Sequence, residues 1–199
     1  MHRLLCRALA CIAVLALATP GLSDCPVPPG FVNQTTRTEN GLKHTFALDQ
    51  FIYPFMTSPI RFHYIVENIG PSPVSLTFHG SPQNMFAIYP ATCTALDQTG
   101  CYDGAIYFNP QVYAWFGVQL NLLPGECRAY TATWWQDPNR VEQHEPGAYR
   151  AFAGLWQPSA GGTWPGEFIH GTGLSLDLSI DMPVPASSAT WGRVKVLYR

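Results

Sequence analysis

Residues 174–182 read LSLDLSIDM, in which every second residue is apolar and every intervening one is polar. Because successive side chains of a β-strand point to opposite faces, this pattern predicts a strand with one buried face and one wet face. Ile60, Phe62, Tyr64 and Val66 form a similar inward-facing set. Further strands are predicted at residues 42–48, 74–78, 84–89, 104–108, 113–122, 126–135, 147–155 and 193–198. The dominant periodicity of the chain is therefore that of β-structure.

The predicted strands are short, and 18 prolines and 17 glycines punctuate the gaps between them. Eight to ten such strands with turn signals predict an all-β fold, an antiparallel β-sandwich, with a small barrel as the alternative. A chain of 199 residues suffices for one domain with a substantial core. Residues 158–163 and 183–188 are the least patterned stretches and are predicted to be loops between the core and additional C-terminal strands.

The first residues have the layout of a secretory signal peptide. Arg3 and Arg7 flank an apolar run over residues 8–18, and small residues follow it up to Ser23. The run is too short for a membrane-spanning helix, which needs about 20 residues. We therefore expect residues 1–23 to be removed and the protein to be secreted or periplasmic, without a transmembrane anchor. A lipoprotein anchored at Cys25 is the alternative.

Charge excludes two classes of partner. Without Arg3 and Arg7, 9 of the 11 basic residues remain against 13 acidic ones, and no basic stripe is present. A mildly acidic surface of this kind does not favour nucleic acid or anionic membranes.

Four cysteines follow the predicted signal peptide, namely Cys25, Cys93, Cys101 and Cys127. In an oxidising compartment they are expected to form two disulfides. Three pairings are possible, and we favour Cys93 with Cys101, across a turn-like segment, and Cys25 with Cys127. A zinc site is the alternative, but the closely spaced Cys or His pairs typical of one are missing from the sequence. No metal or cofactor is expected.

The sequence contains no recognisable catalytic constellation. Neither a G-x-S-x-G elbow nor an H-E-x-x-H motif is present, which favours a non-catalytic protein. His63 and His79 fall at outward or terminal positions of predicted strands, so both are expected at the surface. The charged segment 137–146 is either a contact loop or a solvated connection.

The tryptophans provide a second kind of candidate site. Trp134 and Trp135 are adjacent on a predicted strand, so one is expected in the core and the other is expected to be either partly exposed or covered by the additional C-terminal strands. Trp156 and Trp164 flank a glycine-rich loop, where two exposed rings could form an aromatic platform for a sugar. The alternative is that the C-terminal extension packs these rings over the sheet.

A resemblance to a known family adds to this interpretation. FHYIVEN at residues 62–68, followed by PVSLTF at residues 73–78, resembles the opening hairpin of the BsuPI-type proteinase inhibitor family. Later segments that resemble the family, in the same order, are LPGE at 123–126, Tyr130, Trp134 and PGAY at 146–149. The resemblance implies an immunoglobulin-like sandwich over residues 59–155, preceded by an N-terminal arm and first strand (24–58) and followed by a C-terminal extension packing on the sandwich (156–199).

The resemblance also implies an activity, since some members of the family inhibit a bacterial serine protease. This chain departs from the family by its export signal, by the segment from Cys93 to Cys101 and by the aromatic residues Tyr113, Trp115 and Phe116. The sequence thus predicts a non-catalytic binding domain whose partner is a protein, such as a serine protease, or alternatively a glycan or another component of the cell envelope. The candidate contact residues lie in the loops at 80–84 and 137–146: Ser81, Gln83, Asn84, Arg140, Glu142 and His144.

Overall fold

The computed structural model describes residues 25–80, 83–93, 104–109, 117–136, 145–157, 167–168 and 173–182. The strands are β1 (Asn33–Glu39), β2 (Leu42–Leu48), β3 (Ile52–Pro54), β4 (Ile60–Asn68), β5 (Val74–Phe78), β6 (Asn84–Pro90), β7 (Tyr107–Asn109), β8 (Val118–Leu122), β9 (Cys127–Trp134), β10 (Gly147–Gln157), β11 (Glu167–Phe168) and β12 (Leu174–Asp181). The predicted strand at 193–198 lies outside the described residues. Within these ranges, no helix is long and apolar enough to cross a membrane.

The strands form two facing sheets and a separate two-stranded ribbon. One sheet has the order β1-β2-β4-β9, the other has the order β3-β12-β10-β6-β7 with β11 paired to β10, and β5 pairs with β8. All pairings are antiparallel except that of β3 with β12. The prediction of an all-β antiparallel sandwich is confirmed.

The main core fills the space between the two sheets. Phe46 and Phe62 from the four-stranded sheet contact Phe86 from the six-stranded one, with ring centroids 6.4 and 5.4 Å from that of Phe86. Phe78 and Leu120 of the ribbon belong to the same cluster. Aromatic rings thus link the layers of the sandwich.

The sandwich extends well beyond residues 59–155. Strand β12 lies between β3 and β10 and contributes four buried apolar side chains to the main core: Leu174, Leu176, Leu178 and Ile180. The first two strands form half of the four-stranded sheet. The expectation of an extension packed onto a complete sandwich is therefore wrong, because strands on both sides of the family-like segment complete the two sheets.

Residues 24–58 were expected to consist of an arm and a first strand, at 42–48. Instead residues 33–39 form the edge strand β1, and a two-residue turn at Asn40 and Gly41, with φ of 51° and 77°, joins it to β2. Positive φ at both positions is the geometry of the type I′ hairpin turn. Only residues 25–32 remain outside the sheet.

These eight residues lie against part of the outer face of the four-stranded sheet. A disulfide with a Cα–Cα distance of 6.3 Å joins Cys25 to Cys127 at the start of β9, the pairing that the sequence favoured. A cysteine bonded in this way has no thiol left for lipid attachment. Further along, the ring of Phe31 lies 5.3 Å from that of His63. His63 is 6% exposed, so the expectation of a surface histidine is wrong, because the N-terminal segment covers the outward face of β4.

Candidate functional site

One end of the sandwich exposes most of its large apolar side chains. Eight such residues are exposed in the described part of the chain, and six of them are at the end where β2, β9 and β12 finish and β1, β4 and β10 begin. We refer to these six as the apolar end: Val32, Phe51, Ile52, Met56, Trp135 and Met182. The other two, Ile69 and Leu123, lie at the opposite end, beyond the last residues of β4 and β8.

Backbone hydrogen bonds connect the segments of the apolar end. The amide of Ser179 donates to the carbonyl of Phe51 at 2.9 Å. The amide of Phe55 donates to the carbonyl of Asp181, the residue before Met182, at 2.8 Å. These bonds bring the loop between β2 and β4 against the end of β12.

Trp135 is the most exposed of the six residues, at 70%, whereas its neighbour Trp134 is buried at 5%. The prediction that one ring is buried and the other exposed is confirmed. The next residue, Gln136, is completely buried. The exposed indole is therefore attached directly to a fixed point of the structure.

The side chain of Gln136 anchors the loop that leads into β4. Its Oε1 accepts from the amide of Met56 at 3.0 Å, and its Nε2 donates to the carbonyls of Pro54 at 3.3 Å and Ser58 at 2.6 Å. Met56 and Gln136 both have positive φ, 54° and 52°. A left-handed backbone at a non-glycine residue costs about 1–3 kcal/mol and is concentrated at functional sites in proteins. The fold thus holds Met56 and Gln136, the residue after Trp135, in this conformation at an energetic cost.

Tyr53 anchors the neighbouring part of the loop in the same way. Its ring is completely buried, and its hydroxyl donates to Asp49 at 2.7 Å and accepts from the amide of Gln50 at 3.0 Å. Burial raises the pKa of Tyr53 above its usual value, and the hydrogen bond to Asp49 raises it further. Phe51 and Ile52 are consequently displayed on a loop that is fixed from within.

The structure separates the two predicted contact loops. Asn84 pairs with Leu155 at one end of β10, whereas the loop at 137–146 returns at Glu145, just before Gly147 at the other end. Eight residues of strand rise by about 26 Å. The described residues that border the two loops therefore lie at opposite ends of β10.

Neither of the two described candidate contact residues of the first loop is fully exposed. Gln83 is half-buried: its Oε1 accepts from the Tyr130 hydroxyl at 3.0 Å, and its carbonyl accepts from the Trp156 amide at 3.0 Å. Asn84 is half-buried as the first residue of β6. Ser81 lies outside the described residues. The expectation of a protruding loop is wrong for Gln83 and Asn84, because the start of β6 is bound to its neighbours.

The second loop is connected to the apolar end. The chain leaves the described part at Gln136 and re-enters it at Glu145, whose carbonyl accepts a hydrogen bond from the Tyr149 hydroxyl. Arg140, Glu142 and His144 lie outside the described residues.

The proposed aromatic platform is not formed. Trp156 is 1% exposed and belongs to a second cluster, on the outer face of the six-stranded sheet, that also contains Met85, Tyr89 and Phe152. Trp164 lies outside the described residues. The expectation of an exposed Trp156 is wrong. The ring points away from the main core, but the other residues of the second cluster cover it. Cys93 is part of the same cluster and is disulfide-bonded, while Cys101 lies outside the described residues.

A buried polar pair in the main core escaped sequence analysis. His44 is 1% exposed, and its Nδ1 lies 2.7 Å from the Tyr64 hydroxyl. Burial lowers the pKa of His44 from 6.5 to about 4, against the opposing effect of Glu39. The described residues contain no group of three His, Cys, Asp or Glu side chains placed to hold a metal ion.

Comparison with known proteins gives no family. No family model matches the chain. No curated protein matches it either. A β-glucosidase from Listeria innocua superimposes with a TM-score of 0.40 at 11% identity, over 78% of this chain and 18% of the enzyme's own length.

Two smaller proteins give similar values. A CARDB domain from Pyrococcus furiosus has a TM-score of 0.33 at 13% identity, over 79% of this chain and 100% of the domain. The sporulation control protein of Bacillus subtilis has a TM-score of 0.34 at 11% identity, over 80% of this chain and 56% of that protein. Similarity at this level identifies neither a family nor an activity for this chain.

Proposed function

We propose that this chain is an exported, non-catalytic binding domain that contacts a protein partner through its apolar end. The observation that supports this proposal most directly is the combination of a 70% exposed Trp135 with a completely buried Gln136. An exposed indole on a fixed backbone loses little conformational freedom when a partner covers it. Buried tryptophans are among the side chains that contribute most to protein–protein affinity.

The surroundings of Trp135 favour a protein over a sugar. The other exposed side chains of the apolar end are aliphatic or thioether groups and one phenyl ring, which suit a desolvated protein contact. A sugar platform needs two or three coplanar rings with polar neighbours, and burial of Trp156 removes one of the two rings expected to form it. A carbohydrate-binding or envelope-associated module is therefore the weaker alternative.

Disulfide chemistry supports the exported location. Cys25 and Cys127 are joined, and Cys93 is disulfide-bonded as well. Such bonds persist in the periplasm and outside the cell, whereas cytosolic thiols are kept reduced. Together with the signal-like sequence at residues 1–23, this favours a secreted or periplasmic protein.

Inhibition of a serine protease is the specific activity that we propose to test. It rests on the resemblance to BsuPI-type inhibitors and on the chain order, in which the charged segment 137–146 follows Gln136 and the exposed Trp135. Inhibitors bind with little rearrangement when the contact segment is fixed beforehand. Gln136 itself is held by its hydrogen bonds to Met56 and Ser58.

The experiment titrates the oxidised protein against a panel of secreted and intracellular serine proteases, subtilisin-like enzymes included, and follows complex formation by gel filtration. Trp135→Ala is compared with Leu123→Ala, which removes an exposed apolar side chain from the opposite end. We expect stoichiometric inhibition that Trp135→Ala weakens by about tenfold or more and that Leu123→Ala leaves unchanged. Equal effects of the two substitutions would contradict docking at the apolar end. A folded protein that inhibits no protease in the panel would refute the inhibitor activity.

A further inference from the structure

Strand β9 is an edge of the four-stranded sheet and leads directly into Trp135. Within the described residues, β9 pairs only with β4, from Ile60 opposite Trp134 to Glu67 opposite Cys127. Eight residues make it longer than an average strand of five to six. An edge strand offers one row of backbone donors and acceptors to whatever lies beside it.

The direction of that row follows from the hydrogen bond that begins the ladder. The amide of Asn68 donates to the carbonyl of Glu126 at 2.9 Å, so residue 126 directs its carbonyl toward β4. Backbone groups of an antiparallel strand alternate in direction from residue to residue. Those of Ala129, Thr131 and Thr133 therefore point away from β4, and the side chains of all three are exposed.

The edge lacks two of the features by which proteins prevent strand pairing. Proline and lysine are among the usual protections, and CRAYTATW contains neither. Arg128 is the only charged residue between Cys127 and Gln136. Both ends of the strand are fixed, one by the disulfide to Cys25 and the other by the hydrogen bonds of Gln136. β9 is thus an immobilised template.

We propose that the partner of this protein binds as an extended peptide segment that adds a strand to β9, with an apolar residue against Trp135 and an acidic residue near Arg128. The backbone row at Ala129, Thr131 and Thr133 specifies an extended peptide. The exposed guanidinium of Arg128 favours a carboxylate at one end, and the indole favours an apolar side chain at the other. This inference rests on the proposed function and identifies how its partner binds.

The opposite edge of the same sheet provides a matched control. Strand β1 has seven residues, and its two-residue turn makes Glu39 and Leu42 a hydrogen-bonded pair, so Thr36 directs its backbone groups outward. A proline at Thr131 or at Thr36 removes one outward N–H and leaves the inner ladder intact. Only the first of these substitutions alters β9.

The probe is the blocked peptide acetyl-LTVTVE-amide, which in antiparallel orientation puts its leucine beside Trp135 and its glutamate beside Arg128. We expect the amides of Ala129, Thr131 and Thr133 to exchange hydrogen rapidly in the unliganded protein. Peptide at about ten times its Kd should slow their exchange about tenfold. Thr131→Pro and a peptide N-methylated at its strand-facing amides should lose binding, whereas Thr36→Pro and Thr131→Val should retain it.

Two results would overturn strand addition. In the first, Ala129, Thr131 and Thr133 exchange in the unliganded protein as slowly as Tyr130 and Ala132, which means that the edge is already occupied. In the second, the peptide fails to bind, or the N-methylated peptide binds as well as the parent. The N-methylated peptide keeps the test decisive if Thr131→Pro does not fold. Loss of protease binding in Trp135→Ala but not in Thr131→Pro would retain the proposed function and refute this binding mode alone.

Discussion

His44 makes the stability of the sandwich dependent on pH. It is buried against Tyr64, and desolvation lowers its pKa from 6.5 to about 4. Between these two values the unfolded chain binds a proton that the folded protein does not, so stability is lost as the pH falls. A difference of one pKa unit corresponds to about 1.4 kcal/mol. Relative to pH 7, the loss from His44 is therefore about 2 kcal/mol at pH 5 and about 3 kcal/mol at pH 4.

The assay measures the free energy of unfolding by urea denaturation at pH 7, 5 and 4. The double substitution His44→Phe with Tyr64→Phe removes both members of the hydrogen bond, so neither His44 nor Tyr64 stays in the core without the other. We expect the double variant to lose about 2 kcal/mol less than the parent between pH 7 and pH 5. His79→Gln, at an exposed position, should retain the parent's dependence on pH. An equal loss in the parent and the double variant would refute the assignment to His44.

Further predictions concern the anchors of the fold. Removing the disulfide with Cys25→Ser and Cys127→Ser opens a loop with a sequence separation of 102 residues and should lower the free energy of unfolding by about 2–5 kcal/mol, as read from urea denaturation under oxidising conditions. Completely buried Asn68 makes three side-chain hydrogen bonds, so Asn68→Ala should cost about 2–4 kcal/mol in the same assay; a cost below 1 kcal/mol would contradict its role. Gln136→Ala frees the backbone groups that its side chain holds and should destabilise the protein by about 1–3 kcal/mol, whereas Trp135→Ala should leave the melting temperature unchanged because the ring is exposed.

Alternation identified the strands that have one wet face. β12 was predicted almost residue for residue, because its serines and aspartates face solvent while its leucines face the core. β1 could not be found in this way, since NQTTRTE is polar on both faces at the edge of the sheet. β3 has three residues, too few to show a period.

The errors at His63 and Trp156 share a physical cause. His63 was placed at an outward position of a strand and Trp156 beside a glycine-rich loop, and both places were expected to be exposed to solvent. In each case a segment far away in sequence covers the side chain, as Phe31 does for His63. A pattern within one strand carries no information about such a covering segment.

The candidate site was only partly visible in the sequence. The opposite environments of Trp134 and Trp135 follow from the alternation of a strand. The contribution of Met56 does not, because it depends on a left-handed backbone and on hydrogen bonds to Gln136, 80 residues away in sequence. Contacts of this kind could be found only from the folded chain.

The position of β12 affects when the protein can fold during its synthesis. This strand, near the end of the described sequence, lies between β3 and β10. Until residues 174–181 have emerged during synthesis, the six-stranded sheet has a gap between β3 and β10, and β3 has no strand to pair with in that sheet. Non-local pairing of this kind delays folding. On the proposed export route, a chain in which residues 174–181 have not yet been made lacks this strand, stays unfolded and can still thread through a narrow channel.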